Sequence, residues 1–150
     1  MGAADDIRER RVGAGLTQYE LARRSGLRQP NVAAYENGTR RPSPAMLARL
    51  MAAARALPSV VVRQRRSDIL AIAEANKAGD VRVFGSVARG DDTPDSDIDL
   101  LVTFGPTATI FDQARLVAEL EEALGLHVDV VSERALKPRD TAIRNQAVPL

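Results

Sequence analysis

The hydrophobic residues in the first third of the chain recur every three or four positions, which is the period of amphipathic helices. This pattern predicts helices over residues 5–13, 18–25 and 30–37 and a fourth helix that follows Ser43. The first segment is therefore expected to be all-α. We expect these side chains to face its core: Ile7, Val12, Leu21, Ala22, Val32, Tyr35, Met46, Leu47, Leu50 and Met51.

Residues that start and stop helices support this division. Thr17 lies three positions before Glu20, which is the spacing of a capping box at a helix start. Gly26 follows the same helix and can adopt the left-handed conformation that ends it. Pro44 suits the first turn of the last helix, where no backbone N–H is needed.

The rest of the chain alternates between helical and extended patterns. Ile98, Leu100 and Val102 occupy every second position, as on one face of a strand. We therefore expect a small α/β (α+β) domain with a short mixed sheet. Its predicted elements are helices over 60–77, 110–124 and 133–146 and strands over 81–84, 97–103 and 127–131.

Charge also divides the chain. Leu57-Pro58 interrupts the helical pattern, so we predict domains over 1–57 and 58–150. Residues 1–66 hold 13 Lys and Arg but five Asp and Glu, whereas residues 67–150 hold eight and 15. The first half has the electrostatics of a protein that meets a polyanion, and the second those of one that holds cations. Solvated faces alone would give the same counts.

The composition of the whole chain excludes several classes of protein. With 150 residues, of which 45% are hydrophobic and 27% charged, it fits one ordinary or two small globular domains. It has no cysteine, which excludes disulfides and thiolate metal sites. No apolar run reaches the roughly 20 residues that cross a membrane, and no signal-peptide pattern opens the chain. We therefore expect a cytoplasmic protein with no membrane partner.

Two motifs in the second half indicate phosphoryl or nucleotidyl transfer. Asp97 and Asp99 are two positions apart, so in a strand their carboxylates share a face about 7 Å apart and suit a pair of divalent ions. Gly85 and Ser86 come about a dozen residues earlier. The glycine lets the backbone approach a phosphate, and the serine adds a hydroxyl beside helical N–H groups. The substrate suggested is a nucleoside triphosphate.

The segment 16–42 has Thr-Gln at one helix start, Glu-Leu-Ala inside that helix, Ser-Gly at the turn and Glu-Asn-Gly after the next helix. Over about residues 4–56 it resembles the Cro/repressor-type (XRE) helix-turn-helix family. The resemblance implies a homodimer on double-stranded operator DNA, with the second helix of each unit in the major groove. A helical bundle that only docks a partner protein is the alternative. The implied DNA-binding residues are Arg28, Gln29 and Asn31 at base edges and Gln18, Arg40 and Arg41 at phosphates.

From about Ser67 onward, the Gly-Ser and Asp-x-Asp motifs are followed by Val128-Asp129-Val130-Val131. This series resembles the minimal nucleotidyltransferase (MNT) family of the polymerase-beta-like superfamily. The resemblance assigns catalysis and Mg²⁺ binding to Asp97, Asp99 and Asp129, and ATP binding to Gly85, Ser86 and Arg89. Arg89 could equally be an ordinary exposed helix residue. His127 lies outside the motif, so it is interpreted as the start of the third strand and as neither ligand nor base.

The MNT resemblance also implies a partner. Proteins of this family are typically antitoxins that silence a HEPN-type ribonuclease toxin by transferring AMP from ATP to a toxin tyrosine. The helix-turn-helix would suit an antitoxin that represses its own operon. Two alternatives stay open. One is a DNA-binding regulator whose second domain only senses nucleotide or docks a partner, and the other is a transferase for a small molecule such as an aminoglycoside.

Overall fold

The computed structural model describes residues 2–150, and the chain divides into two compact units. One unit ends at Ala56 and the other extends from Leu57 to Leu150. Each unit has a hydrophobic core of its own. The break lies one residue before the predicted boundary, and the division of function between two domains stays a prediction.

The first unit is all-helical, as predicted. Thr17 caps the second helix: its Oγ1 accepts a hydrogen bond from the Glu20 N–H (3.2 Å), while the Glu20 carboxylate accepts one from the Thr17 N–H (2.7 Å). Gly26 ends this helix at φ 70°, in the left-handed region. The helices are α1 (Ala3–Gly13), α2 (Gln18–Ser25), α3 (Gln29–Glu36) and α4 (Pro44–Ala53).

The core of this unit lies where the four helices meet. The fully buried side chains at its centre are Ile7, Leu21, Val32 and Leu50. The prediction that Val12 also faces inward is wrong, because its side chain is 58% exposed. Five positions separate it from Ile7, and five positions turn a helix by about 140°, so the two residues lie on different faces.

The second unit is built around a four-stranded sheet with the order β3-β2-β1-β4. β1 pairs antiparallel with both β2 and β4, whereas β2 and β3 are parallel. The sheet is therefore mixed, as predicted. The strands are β1 (Ala78–Phe84), β2 (Ile98–Phe104), β3 (Val128–Ser132) and β4 (Val148–Pro149), and the helices are α5 (Pro58–Gln64), α6 (Arg66–Ala75), α7 (Gly85–Arg89), α8 (Ile110–Leu124) and α9 (Thr141–Gln146).

The core of this unit is formed by the sheet and the helices packed on it. β2 is the most deeply buried strand, since Leu100, Leu101 and Val102 are all fully buried. Leu116 and Leu120 of α8 and Ile69 of α6 are fully buried in the same core. β2 therefore holds the residues at its start in fixed positions.

Two of the predicted helices were wrong. The expected helix over 60–77 is broken at Arg65 (φ −106°, ψ 19°), where the apolar period stops after Val62 and resumes at Ile69. The expected helix over 133–146 contains Pro138, which cannot donate a helical hydrogen bond. That stretch is instead a short 3₁₀ turn (Glu133–Ala135), a loop and the six-residue α9.

Strand β4 was missed altogether. It is only two residues long, and Val148 pairs with Val83 of β1. The Leu150 N–H extends the pairing by donating a hydrogen bond to the Val81 carbonyl (3.1 Å).

Among the described residues, no single helix is long and apolar enough to cross a membrane. The consecutive helices α4 and α5 would be long and apolar enough only if they were counted together.

Candidate active site

Three predicted carboxylates meet at the start of the two parallel strands. Asp99 is the second residue of β2 and pairs in register with Asp129 of β3. Asp97 immediately precedes β2, so it lies at the same edge of the sheet. On its other side Asp99 pairs with Phe84, the last residue of β1. The parallel register therefore brings together residues that are 30 positions apart in the chain.

Asp99 is partly buried and lies beside the other two carboxylates. Burial, followed by the negative charges of Asp129 and Asp97, raises the pKa of its carboxyl above the ordinary aspartate value. A site that disfavours its own charged form is one that a bound cation would stabilise. Carboxylate oxygens are also the ligands that Mg²⁺ prefers, so the donor set fits a hard divalent ion.

Gly85 stands against Asp99 at the turn from β1 to α7. Its φ is +70°, in the region that favours glycine. A Cβ at this position would overlap the Asp99 Oδ2 and lie 3.1 Å from its Cγ. The turn therefore leaves no room for a side chain beside the carboxylates. Ser86 follows in α7 and is half-buried, and its contact with phosphate stays a prediction.

Arg89 lies at the other end of α7, and its side chain is 49% exposed. Its guanidinium contacts the Asp91 carboxylate at 3.3 Å. Its positive charge still acts on Asp99, where it partly offsets the pKa rise. The structure does not bring Arg89 into hydrogen-bond contact with the three carboxylates, and its contact with phosphate stays a prediction.

The acidic loop between α7 and β2 contains a turn at Thr93–Ser96. The Thr93 N–H donates to the Ser96 hydroxyl, and the Ser96 N–H donates to the Thr93 carbonyl, both at 2.9 Å. Asp92 points elsewhere: its carboxylate accepts a hydrogen bond from the Ser59 N–H at 2.8 Å. This loop fixes the chain ahead of Asp97.

His127 is the site residue that the sequence analysis set aside. Its Nδ1 lies 2.7 Å from the Glu121 Oε1, and its Nε2 lies 3.3 Å from the Asp129 Oδ1. One ligand atom from each of Asp97, His127 and Asp129 lies within 4.8 Å of the others. His127 lies two positions before Asp129, and this spacing could have indicated that the two side chains are close, since alternate strand positions share a face.

The charge around the imidazole follows from this placement. Desolvation lowers the pKa of His127, but the carboxylates of Asp97, Asp129 and Glu121 outweigh that effect and raise it. Of the described residues, these three carry the negative charges that act on the ring. The imidazole therefore belongs to the carboxylate cluster.

In the first unit, two of the predicted DNA-binding residues are joined. The Gln29 Nε2 donates to the Gln18 Oε1, and the Gln18 Nε2 donates to the Glu36 Oε2, both at 2.9 Å. Glu36 also accepts two hydrogen bonds from the Arg11 guanidinium, at 2.6 and 3.0 Å. This chain of side chains links both ends of α3 to the start of α2, and the last residue of α3 to α1.

Glu36 is the centre of that chain of hydrogen bonds, and its side chain is 2% exposed. Burial raises the pKa of its carboxyl, but the hydrogen bonds from Arg11 and Gln18 outweigh burial, and the net shift is downward. The Arg11–Glu36 pair could not be predicted from the sequence, because the partners are 25 positions apart and no local pattern links them.

The other predicted DNA-binding residues are more open to solvent. Arg28 is the exposed N-cap of α3, and Asn31 is half-buried in its first turn. Arg40 is exposed and its guanidinium lies 5.6 Å above the centre of the Tyr35 ring, and Arg41 beside it is exposed as well. Contact of any of these residues with DNA stays a prediction.

Carboxylates at the start of two adjacent parallel strands, beside a glycine turn, define a nucleotide-transferring class of enzyme. A sequence model of the nucleotidyltransferase domain matches residues 67–148, and one of the helix-turn-helix matches residues 7–55. The chain therefore belongs to the nucleotidyltransferase domain family and carries an XRE-type helix-turn-helix. The predictions of fold class and of enzyme class are confirmed.

Curated relatives match the second unit. Over 67 residues the chain is 45% identical to a protein of Methanocaldococcus jannaschii that is provisionally named protein adenylyltransferase MJ0435; the match covers 44% of this chain and 72% of the relative. It is 41% identical over 58 residues to the protein adenylyltransferase MntA of Thermococcus cleftensis, covering 39% of this chain and 59% of that protein.

Solved structures give the same picture. A structure provisionally described as a minimal nucleotidyltransferase is 47% identical, with a TM-score of 0.57, and the match covers 61% of this chain and 95% of the other. A crystal structure of a toxin-antitoxin with AMP-PNP is 26% identical, with a TM-score of 0.50, covering 55% of this chain and 69% of the other.

Proposed function

We propose that this protein is the antitoxin of a HEPN/MNT-type pair and transfers AMP from ATP to a hydroxyl, a tyrosine in our proposal, of a partner HEPN ribonuclease toxin. The observation that carries the proposal is the register of Asp99 on Asp129, with Asp97 at the same edge. The relative named protein adenylyltransferase MntA and the toxin-antitoxin structure with AMP-PNP support it. Such a protein would act in the cytoplasm.

The mechanism assigns a task to each side chain of the site. Asp97, Asp99 and Asp129 would hold Mg²⁺, which when bound neutralises charge that develops on the α-phosphate. Gly85 leaves space for the triphosphate at the turn, and Ser86 would donate its hydroxyl to a phosphate oxygen. Arg89 would add a positive charge near the phosphates.

The proposed reaction forms one bond to the α-phosphorus and breaks another. The acceptor hydroxyl oxygen bonds to the α-phosphorus, the bond from that phosphorus to the bridging oxygen of the β-phosphate breaks, and pyrophosphate leaves. Asp129 would accept the hydroxyl proton as a general base. Its side chain is 55% exposed, so a macromolecular acceptor can reach it.

The proposal for the first unit is that a homodimer binds operator DNA and represses transcription. Its support is the helix-turn-helix match and the position of Gln29 and Arg28 at the start of α3, the helix that would enter the major groove. Arg40 and Arg41 would contact phosphates.

The experiment that tests the transferase combines the protein, ATP labelled on the α-phosphate, Mg²⁺ and a HEPN ribonuclease toxin, which would first be sought in the neighbouring open reading frame. We expect label on the toxin with the wild type and none with Asp97→Asn. Asp68→Asn is the matched control, since Asp68 is an exposed carboxylate in α6 whose ion pair is with the exposed Arg65. Absence of label with the wild type would leave the DNA-binding regulator as the better description.

A further inference from the structure

The imidazole of His127 lies beside two of the proposed metal ligands and is itself held from behind. Its Nε2 faces Asp129 at 3.3 Å, and its other nitrogen, Nδ1, lies 2.7 Å from the Glu121 carboxylate. A ligand atom from Asp97 completes a group whose members are within 4.8 Å of one another. Nε2, the ring nitrogen that faces Asp129, is therefore the one that Glu121 leaves available.

A histidine whose Nδ1 contacts a carboxylate while its Nε2 faces other carboxylates is a common arrangement at metal sites. A metal-binding histidine commonly donates its second N–H to a carboxylate, which fixes the tautomer and the ring orientation and raises the basicity of the binding nitrogen. Glu121 is itself fixed, because its Oε1 also accepts a hydrogen bond from the Val128 N–H at 3.1 Å. Val128 links His127 to Asp129, so α8 and the start of β3 are tied together at this point.

The donor set then differs from one made of oxygen alone. Carboxylates and water suit both Mg²⁺ and Mn²⁺, whereas an imidazole nitrogen suits ions such as Fe²⁺, Ni²⁺ and Zn²⁺. Of the two oxygen-preferring ions, Mn²⁺ accepts a nitrogen ligand more readily than Mg²⁺ does. We propose that His127 is a third ligand, with Asp97 and Asp129, of a divalent transition ion, and that Glu121 positions it. The inference rests on the proposed transferase site and adds a nitrogen ligand to it.

Mn²⁺ is the probe that tests the proposal, because its unpaired electrons report a bound nitrogen directly. The chain contains one histidine, so in protein without an affinity tag any imidazole signal must come from His127. Pulsed EPR of the protein with Mn²⁺ alone should show ¹⁴N coupling in the wild type and none in His127→Gln. The His127 side chain is 59% exposed, so the substitution should leave the fold intact, which circular dichroism checks.

Affinity gives a second readout. Titration should show Mn²⁺ binding weakened about tenfold or more in His127→Gln and about tenfold in Glu121→Gln, with Mg²⁺ affinity changed by less than about threefold. Glu122→Gln is the matched control: it makes the same change at the next position of α8, on an exposed residue, and should bind Mn²⁺ as the wild type does.

Two results would overturn the proposal: no ¹⁴N coupling in the wild type, or equal weakening of Mn²⁺ and Mg²⁺ binding in His127→Gln. Neither measurement needs ATP or toxin. If AMP transfer occurs while the ¹⁴N signal is absent, only the role of His127 fails. If the signal is present and lost in His127→Gln while no AMP is transferred, the metal ligand is supported and the proposed reaction fails.

Discussion

Asp99 and Asp129 lie directly beside each other in the parallel pairing of β2 and β3. Two negative charges in adjacent strand positions oppose folding unless something positive lies between them. The neighbouring Asp97 adds a third charge, and burial of Asp99 makes the arrangement less favourable still. Repulsion among these carboxylates therefore lowers the stability of the folded state at the proposed active site.

The first prediction concerns that cost. Asp99→Asn removes a charge whose ionised form is disfavoured in the folded protein, so the urea midpoint of the metal-free variant should rise. AMP transfer should fall by about 100-fold or more, as when a group that stabilises the transition state is removed. Urea unfolding in EDTA and the labelling assay measure the two effects. A lower urea midpoint for Asp99→Asn than for the wild type would show that the carboxylates do not repel one another.

The second prediction separates backbone strain from a steric clash. Gly85 and Gly90 begin and follow the same short helix, with φ of +70° and +78°. Alanine at either position should cost about 1–2 kcal/mol of stability, because a Cβ is disfavoured in the left-handed region. At Gly85 the new Cβ would also displace the Asp99 carboxylate, whereas at Gly90 nothing lies within 4 Å of it.

Gly85→Ala should therefore lose AMP transfer, and Gly90→Ala should keep it to within a few-fold despite a similar loss of stability. Urea unfolding and initial rates at saturating ATP measure both. If the two variants lose activity equally, the close approach of Gly85 to Asp99 has no functional importance.

Features that neighbouring residues determine could be predicted from the sequence, whereas features that depend on contacts between distant residues could not. Ile110–Leu124 and Gln18–Ser25 were located to the residue because caps and helical periods are local. The break at Arg65 and the two-residue β4 were missed, because the first needs the apolar period to be followed across a polar run and the second exists only through pairing with β1. Neither is visible in a short window of sequence.

The candidate site divides in the same way. The carboxylates were predictable because spacing and family motif mark them. The partnership of Glu121 with His127 joins the end of α8 to the start of β3, and family patterns do not mark it. The Arg11–Glu36 pair likewise depends on how α1 packs on α3, which follows from tertiary structure alone.

The third prediction uses that pair and the pH. Glu36→Gln removes the negative charge that faces the Arg11 guanidinium and replaces one of the two acceptor oxygens with an NH2 donor, so it should destabilise the first unit by about 2–3 kcal/mol at pH 7. The folded-state pKa of Glu36 is lowered, so its contribution is fully present above the ordinary glutamate value of about 4.3. It is lost as the pH falls through the lower folded-state pKa.

The measurement is thermal unfolding of the full chain at several pH values, followed through the transition of the helical unit. The gap between wild type and Glu36→Gln should be constant near neutrality and close in acid. Glu9→Gln, on an exposed face of α1, serves as the control and should show no such gap. A gap that stays constant down to pH 3 would contradict the prediction.

The fourth prediction concerns the joined glutamines of the helix-turn-helix. Gln18 and Gln29 are hydrogen-bonded to each other, so a base contact by Gln29 would depend on Gln18 to hold its amide. Gln29→Ala should weaken operator binding by about 1–3 kcal/mol and relax sequence preference at one position. The double variant Gln18→Ala/Gln29→Ala should lose less binding free energy than the sum of the two single losses, by about 0.5 kcal/mol or more, because the effects of residues in contact are not additive.

Fluorescence anisotropy with the protein's own promoter at fixed salt measures operator binding by the wild type, the two single variants and the double variant. AMP transfer should be unchanged in all three variants. Strict additivity would mean that the two glutamines act on DNA independently, and lost transfer would mean that the two units do not function separately.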